Sequence, residues 1–279
     1  MGLDIREIVT RKIIEGLEKG ELPWHKPWKD GYAVNHKTGK AYRGLNQLTL
    51  TYTAMAEGFV NRWVSMGIIR DNGWRIGKGQ SPTYIAFFKW IPVDKSDPDG
   101  DKFPMLRYYK VWSISQIEGE GIVIPEETTE FEPLERAEQV IQGMPNAPDL
   151  RIGGNRAFYN WDRDFVQTPV KELFEDRNRY YSTMFHELGH STGHEKRLGR
   201  KIDNDFGTEE YSLEELVAEF TSAFLCAECQ IDNTMEASTA YIQGWLKVLK
   251  NDRQMVLTAA SQAQKATDYI LGKTWDGAE

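Results

Sequence analysis

The spacing of apolar residues changes character along the chain. Ile5, Ile8, Val9, Ile13 and Leu17 recur at a helical period, and Gly20 stops the run, so residues 5–19 predict an amphipathic helix. Residues 45–57 predict a second helix, ended by Gly58. The pattern then switches to consecutive apolar and aromatic positions. Residues 84–91 and 108–114 read as strands, and the polar turn at 94–101 makes them a hairpin. A glutamate-rich stretch with Gly and Pro, 118–133, reads as a linker. Beyond it come a short helix at 134–142, a turn into a strand across 151–159, and helices at about 175–193, 212–229 and 235–271, the last long enough to be interrupted. The fold class is α+β. A mixed first domain, 1–117, is followed by the linker and a mostly helical second domain, 134–279.

The helix at 175–193 carries chemistry. His186-Glu187-Leu188-Gly189-His190 reads H-E-x-x-H. At about 100° per residue, histidines four apart share a face and reach one metal ion. Glu187 points about 100° away, where it lies beside an open coordination position without filling it. Two nitrogen ligands, an open position and a nearby carboxylate are what metal-assisted hydrolysis needs. The chain has five histidines, and 186, 190 and 194 fall at i, i+4 and i+8.

Three residues compete for the third ligand position. His194 stays near the same face only if the helix continues, and Gly193 argues that it stops. Glu214 and Glu215 lie on the next helix, where Ser212 reads as the N-cap and Glu215 as the matching capping-box acid. Glu215 and Glu219 are i, i+4, so one can ligate while the other orients a ligating histidine through its second nitrogen. Glu215 is the favoured ligand, with Glu219 and His194 in the supporting position. Two nitrogens and a carboxylate suit zinc best, and another divalent metal such as manganese is compatible.

Charge divides the chain. Residues 1–112 hold 18 Lys and Arg against 12 Asp and Glu, whereas the whole chain carries −8, so the remainder carries −14. Six of the nine tryptophans, Trp24, Trp28, Trp63, Trp74, Trp90 and Trp112, lie in that basic part. A basic, aromatic-rich module suits single-stranded nucleic acid, where cations meet phosphates and rings stack on bases. No run of about 18 apolar residues occurs, and the acidic, amphipathic start is unlike a secretory signal; the expectation is a cytoplasmic protein with no membrane partner. Cys226 and Cys229 form a lone C-x-x-C inside a helical run and read as core residues. Gly73 to Gly79 falls one residue short of a phosphate loop and lacks its hydroxyl, so it reads as a glycine turn with a basic tip.

Taken in order, these motifs resemble the ArdC-type antirestriction family. The first part is similar through Pro23-Trp24, Lys26-Pro27-Trp28, Asn35, Thr38 to Asn46, and Gly77-Lys78-Gly79. The second is similar through Tyr180-Tyr181, His186 to His194, Arg197-Leu198, Arg200, Glu214 to Glu219, and Ala259 to Tyr269. The resemblance implies an N-terminal domain that binds single-stranded DNA, a C-terminal zincin-like metallopeptidase domain with a bound metal, and protection of incoming DNA from restriction in a bacterial host. It assigns His186, His190 and Glu215 as metal ligands and Glu187 as catalytic acid/base. Trp24, Lys26, Trp28, Lys40, Tyr42, Arg43 and Lys78 are the candidate DNA contacts, by residue type and loop position. A host restriction component or another protein is the candidate peptide substrate. Two other readings remain open: a DNA binder whose metal is structural only, and a peptidase whose basic half grips an acidic protein.

Overall fold

The structure is a computed structural model, and it describes residues 5–19, 22, 24, 32–93, 102–124, 132–200, 208–233, 239–252 and 254–274. Two compact units divide the chain. One comprises Met1–Ile5 and Ala33–Pro125, the other Arg6–Tyr32 and Glu126–Glu279. Helix α1 (Ile5–Glu18) therefore falls almost wholly in the second unit. It buries Val9, Ile13 and Leu17, one residue per turn, as its period predicts.

The first unit follows with β1 (Val34–Asn35), α2 (Gly44–Glu57), β2 (Arg62–Ser65), α3 (Met66–Asp71), β3 (Arg75–Ile76), β4 (Thr83–Pro92), β5 (Lys102–Ser113) and β6 (Ile117–Glu118). Strands β4 and β5 form the expected antiparallel hairpin, within a four-stranded sheet of order β1-β2-β5-β4. Gly58 ends α2 in the left-handed region (φ 68°), which a residue without a Cβ enters freely. Strand β4 lies at the sheet edge, and Asn46 covers part of it. Its side-chain Nδ2 donates to the Ala86 carbonyl (2.7 Å), and its Oδ1 accepts from the Ala86 N–H (2.8 Å), as a neighbouring strand would. One apolar cluster gathers Leu50, Ala54, Trp63, Ile85 and Val111, and another Val64, Ile69, Trp112, Ile114 and Ile117. Trp63 and Trp112 are thus core residues rather than stacking platforms.

The second unit continues with α4 (Pro133–Gly143), β7 (Asp149–Ile152), β8 (Phe158–Asn160), β9 (Phe165–Thr168), α5 (Arg177–Ser191), α6 (Glu209–Cys229), α7 (Thr239–Asn251) and α8 (Met255–Ile270). The strands form a sheet of order β7-β9-β8, with β7 parallel and β8 antiparallel to β9. Helix α6 is buried on all sides from Leu216 to Phe224, the signature of a central helix, and it packs on α5 and α8. Its start differs from the expected one. Thr208 is the N-cap, accepting from the Tyr211 N–H, while Ser212 sits inside the helix and donates back to the Thr208 carbonyl. Glu215 is thereby one turn inside the helix and free of the capping role.

Two contacts fix where α5 lies. Gly189 meets α6 backbone to backbone: a Cβ there would stand 3.2 Å from Ala218 Cα and from Thr221 Cβ. After α5 ends, Arg197, whose side chain is fully buried, donates to the Ser191 carbonyl (2.6 Å), the Asn146 carbonyl (2.9 Å) and the Tyr159 hydroxyl (3.1 Å), and pairs closely with Asp164. Burial pushes the Asp164 carboxyl up, but hydrogen bonds from Arg197, Tyr159 and Lys196 outweigh it and hold the group at about 2.

Both contacts are testable. A depressed carboxylate pKa contributes stability that is complete above the unfolded value near 4 and lost as pH falls toward 2. Asp164→Asn, which tolerates the positive φ of 49° at this position, is expected to lower stability at pH 7 by about 1–2 kcal/mol. Denaturant unfolding from pH 7 down to 2 should show the acid limb between 4 and 2 flattened in the variant; an unchanged limb removes the assignment. Gly189→Ala gains about 1 kcal/mol of helix propensity but overpacks a backbone contact at a cost of about 1–3 kcal/mol. The net expectation is destabilisation by about 1 kcal/mol, read as a lowered denaturation midpoint. A stabilised variant would show that α6 can shift.

Candidate metal centre

The centre is built from the last turns of α5 and the second turn of α6. Asp176 caps α5 by accepting from the Arg179 N–H (2.9 Å), and Tyr180, Tyr181, Met184, Phe185 and Leu188 bury its core face. That packing fixes the rotation of the helix and presents His186 and His190 side by side. Their Nε2 atoms are 3.0 Å apart. Glu215 reaches across from α6, with one carboxylate oxygen 3.6 Å from His186 Nε2 and the other 3.7 Å from His190 Nε2. Donor atoms of His186, His190 and Glu215 all lie within 4.8 Å of one another.

The fit to a divalent ion can be tested on this geometry. Two nitrogens about 2.05 Å from a tetrahedral zinc would stand about 3.3 Å apart, close to the spacing found. His190 Nδ1 faces the Glu214 carboxylate at 3.3 Å, and His186 Nδ1 has the Glu219 carboxylate at 3.8 Å. Carboxylates on the Nδ1 side favour the tautomers whose Nε2 lone pairs point at each other and at Glu215. Lone pairs at that separation repel unless positive charge lies between them. The donor set therefore fits a cation with nitrogen and oxygen ligands.

Electrostatics agrees. Burial pushes the His186 ring toward neutrality, yet the Glu215 hydrogen bond and the charges of Glu219 and Glu187 outweigh it and raise the group to about 9. Burial likewise pushes Glu215 up, but His190, His186 and a Tyr211 hydrogen bond hold it at about 2. Together the carboxylates make this a pocket that stabilises positive charge. Glu187 has the opposite shift: burial raises its carboxyl, which accepts a backbone hydrogen bond from Tyr159 on β8.

Some residues stand where the sequence reading puts them, and others do not. His186, His190 and Glu215 converge, Glu187 is buried beside them, and Glu219 lies behind His186. His194 does not join them. Helix α5 ends at Ser191, so the i+8 relation is broken; the His194 ring packs on Trp161 (5.2 Å) and its Nδ1 accepts from the Lys196 N–H (3.2 Å). Glu214, weighed above only as a ligand, instead faces His190 Nδ1. Arg200 grips it through Nε (3.0 Å) and Nη2 (2.6 Å), while its other donors reach Thr192 Oγ1 (2.6 Å) and the Gly189 carbonyl (3.0 Å).

The expected DNA contacts are redistributed. Lys26 and Trp28 lie outside the described residues. Lys40 and Lys78 are exposed, Arg43 is partly buried, and Tyr42 packs partly buried against the first unit's core. Trp24 is corrected outright. It is 1% exposed, packed edge-on to Phe220 and Trp245 and hydrogen-bonded to Glu219, so it has no face to offer a base. Exposed rings occur instead on the hairpin, at Phe87, Tyr108 and Tyr109. The register places Phe87, Tyr109 and Arg107 on one face, with the two rings 5.5 Å apart. Consecutive apolar and aromatic positions in β4 carry no clean alternation, so the period alone does not mark which of its rings are exposed.

Comparison with known proteins supports both halves. Residues 3–112 match the N-terminal domain of anti-restriction factor ArdC, and residues 135–262 match a zincin-like metallopeptidase family. The chain is 34% identical to uncharacterized protein y4eC of Sinorhizobium fredii, over 98% of this chain and 93% of that protein. It is 33% identical to DNA primase TraC of Escherichia coli over 95% of its own length, and spans about a fifth (20%) of that longer protein. The metal-free crystal structure of antirestriction ArdC protein from the R388 plasmid superposes with a TM-score of 0.77 at 30% identity, covering 96% of this chain and 97% of that one. The Mn(II)-bound structure of the same protein gives 0.78 at 30% identity, with 97% and 98% covered. With both family models matched in order, and a solved relative matched nearly end to end, the chain belongs to the ArdC family of antirestriction proteins.

Proposed function

We propose that this protein binds single-stranded DNA through its N-terminal domain and protects incoming DNA from host restriction, and that its second domain holds a divalent metal, zinc foremost, at His186, His190 and Glu215. The observation that carries the metal reading is the convergence of those three side chains within 4.8 Å. The Mn(II)-bound structure of a 30% identical relative supports it. The setting is the bacterial cytoplasm, where entering DNA meets restriction enzymes; among the described residues no helix is long and apolar enough to cross a membrane.

The reaction that fits the side chains is amide hydrolysis, on a host protein as substrate. A divalent ion on these donors supplies Lewis acidity, polarising a carbonyl and making water a stronger nucleophile near neutral pH. The chain's own residues do the rest. Glu214 holds His190 through its far nitrogen (3.3 Å), so that ring's orientation is set before any ligand arrives, while the far nitrogen of His186 faces the Glu219 carboxylate at 3.8 Å without a hydrogen bond. Glu187 is buried within range of the charges of His186, His190 and Glu215. Its raised pKa, caused by burial, suits a group that takes a proton from water and returns it to the leaving amine. The Tyr159 N–H fixes its carboxyl.

In the first domain, phosphate contact falls to exposed cations and stacking to exposed rings. Lys40 and Lys78 are the exposed cations proposed for this role, and the hairpin adds Phe87 and Tyr109 with Arg107 on the same face. Stacking on a ring is worth about 1–3 kcal/mol per base and is indifferent to sequence.

Two experiments test these readings. Glu187→Ala is expected to keep stoichiometric divalent metal and lose peptide cleavage by at least about 100-fold, whereas His186→Ala loses the metal. Protection of transformed DNA that survives Glu187→Ala would assign protection to binding alone and leave the metal a structural part. For DNA, Phe87→Ala and Tyr109→Ala should each weaken binding of a labelled single strand at least about fivefold with the salt slope unchanged. Lys40→Ala or Lys78→Ala should instead reduce the slope of log K against log salt by about 0.7. Binding insensitive to salt and to all four changes would sink the DNA reading.

A further inference from the structure

Trp24 lies far from the metal centre in sequence, and the structure assigns it a place in the centre's support. Its indole is 1% exposed, set edge-on against Phe220 (5.1 Å between ring centroids) and Trp245 (5.5 Å), and its carbonyl accepts from Asn233 Nδ2 (3.3 Å). The ring has no rotational latitude in that packing. Its Nε1–H donates to Glu219 Oε2 at 3.0 Å. The other oxygen of the same carboxylate, Oε1, is the atom 3.8 Å from His186 Nδ1.

We propose that Trp24 is a positioning residue for the metal centre, acting through Glu219 on His186. A glutamate carboxyl turns about its last side-chain bond, and a fixed donor on one oxygen removes that freedom and aims the other. The aimed oxygen faces His186 Nδ1, a buried atom with no hydrogen-bond partner at the present 3.8 Å, and closing that gap by under about 1 Å lets it accept the Nδ1–H and leaves the Nε2 lone pair for a metal ion. Arg200 performs the matching task on the other side, holding Glu214 against His190. Each ligating histidine is thus backed by a carboxylate, and each carboxylate by a donor from elsewhere in the chain. The Pro-Trp segment that the sequence reading assigned to DNA contributes its tryptophan to the other domain's chemistry.

This inference rests on His186 being a metal ligand, and the test separates the two. Zinc and manganese affinities of the full chain are measured by chelator competition for the unaltered protein, Trp24→Phe, Glu219→Gln, the double variant and His186→Ala. Phenylalanine keeps an aromatic ring in the pocket and removes only the N–H and the second ring. The expected result is a weakening of about tenfold for Trp24→Phe and about 10–100-fold for Glu219→Gln. The double variant should be no worse than Glu219→Gln, because the tryptophan acts through the carboxylate. A purely structural Trp24 predicts losses that multiply in the double variant, and that outcome overturns the proposal. So does Trp24→Phe with unchanged affinity. Should Trp24→Phe fail to fold, the assigned indole N–H resonance of the unaltered chain decides. It is expected to shift on metal addition and to stay put in His186→Ala; no shift in the unaltered chain overturns the proposal. If the unaltered chain binds neither ion, the metal reading and this inference fall together. If His186→Ala abolishes binding while Trp24→Phe does not weaken it, only this inference falls.

Discussion

The contact between α5 and α6 at Gly189 is the constraint on which the centre depends. A Cβ there would press on Ala218 and Thr221 at 3.2 Å, so the helices would have to give by a few tenths of an ångström and Glu215 would stand farther from the nitrogens of His186 and His190. Close approach also brings Glu214 and Glu219 into low-dielectric surroundings, where a carboxylate is costly unless it has a partner. Arg200 supplies one partner, the Trp24 N–H another, and the histidines the rest. Packing and charge are therefore one problem here. The backbone contact creates a buried acidic pocket, and the surrounding donors make that pocket tolerable.

Elements with strong local signals were legible in the sequence. The α2 period with its Gly58 stop, the β4–β5 hairpin and α5 all emerged from spacing alone, because each is long enough for its period to show. Strands β1 and β2, of two and four residues, carry no period to read. The start of α6 was misjudged because Thr208 and Ser212 are hydroxyl residues one turn apart, and either can precede a helix. Only the structure shows Ser212 bonding back to the carbonyl four residues earlier, which is how a hydroxyl inside a helix behaves.

The candidate site divides along the same line. Histidines four apart and the adjacent glutamate declare themselves through helix geometry. Glu215 was one of several candidates until α6 was placed against α5. The support around them was not legible. Arg200 reaches Glu214 from 14 residues away and Trp24 reaches Glu219 from 195, distances over which no local pattern operates. Tryptophans in a proline-rich segment of the basic half suggested exposed rings, yet what decided the fate of Trp24 was a cavity walled by Phe220 and Trp245. Composition divides this chain at a different place from the packing.

That mismatch bears on how the chain reaches its native state. The helical unit gathers residues from both ends of the sequence, Arg6–Tyr32 and everything after Glu126, with most of the other unit written between them. During synthesis α1 leaves the ribosome long before the helices of its own unit exist, and must wait while some ninety intervening residues are made. Closing so long a loop is entropically inexpensive, since its cost grows only with the logarithm of length. The interval is nonetheless a time when Val9, Ile13 and Leu17 lack their final surroundings.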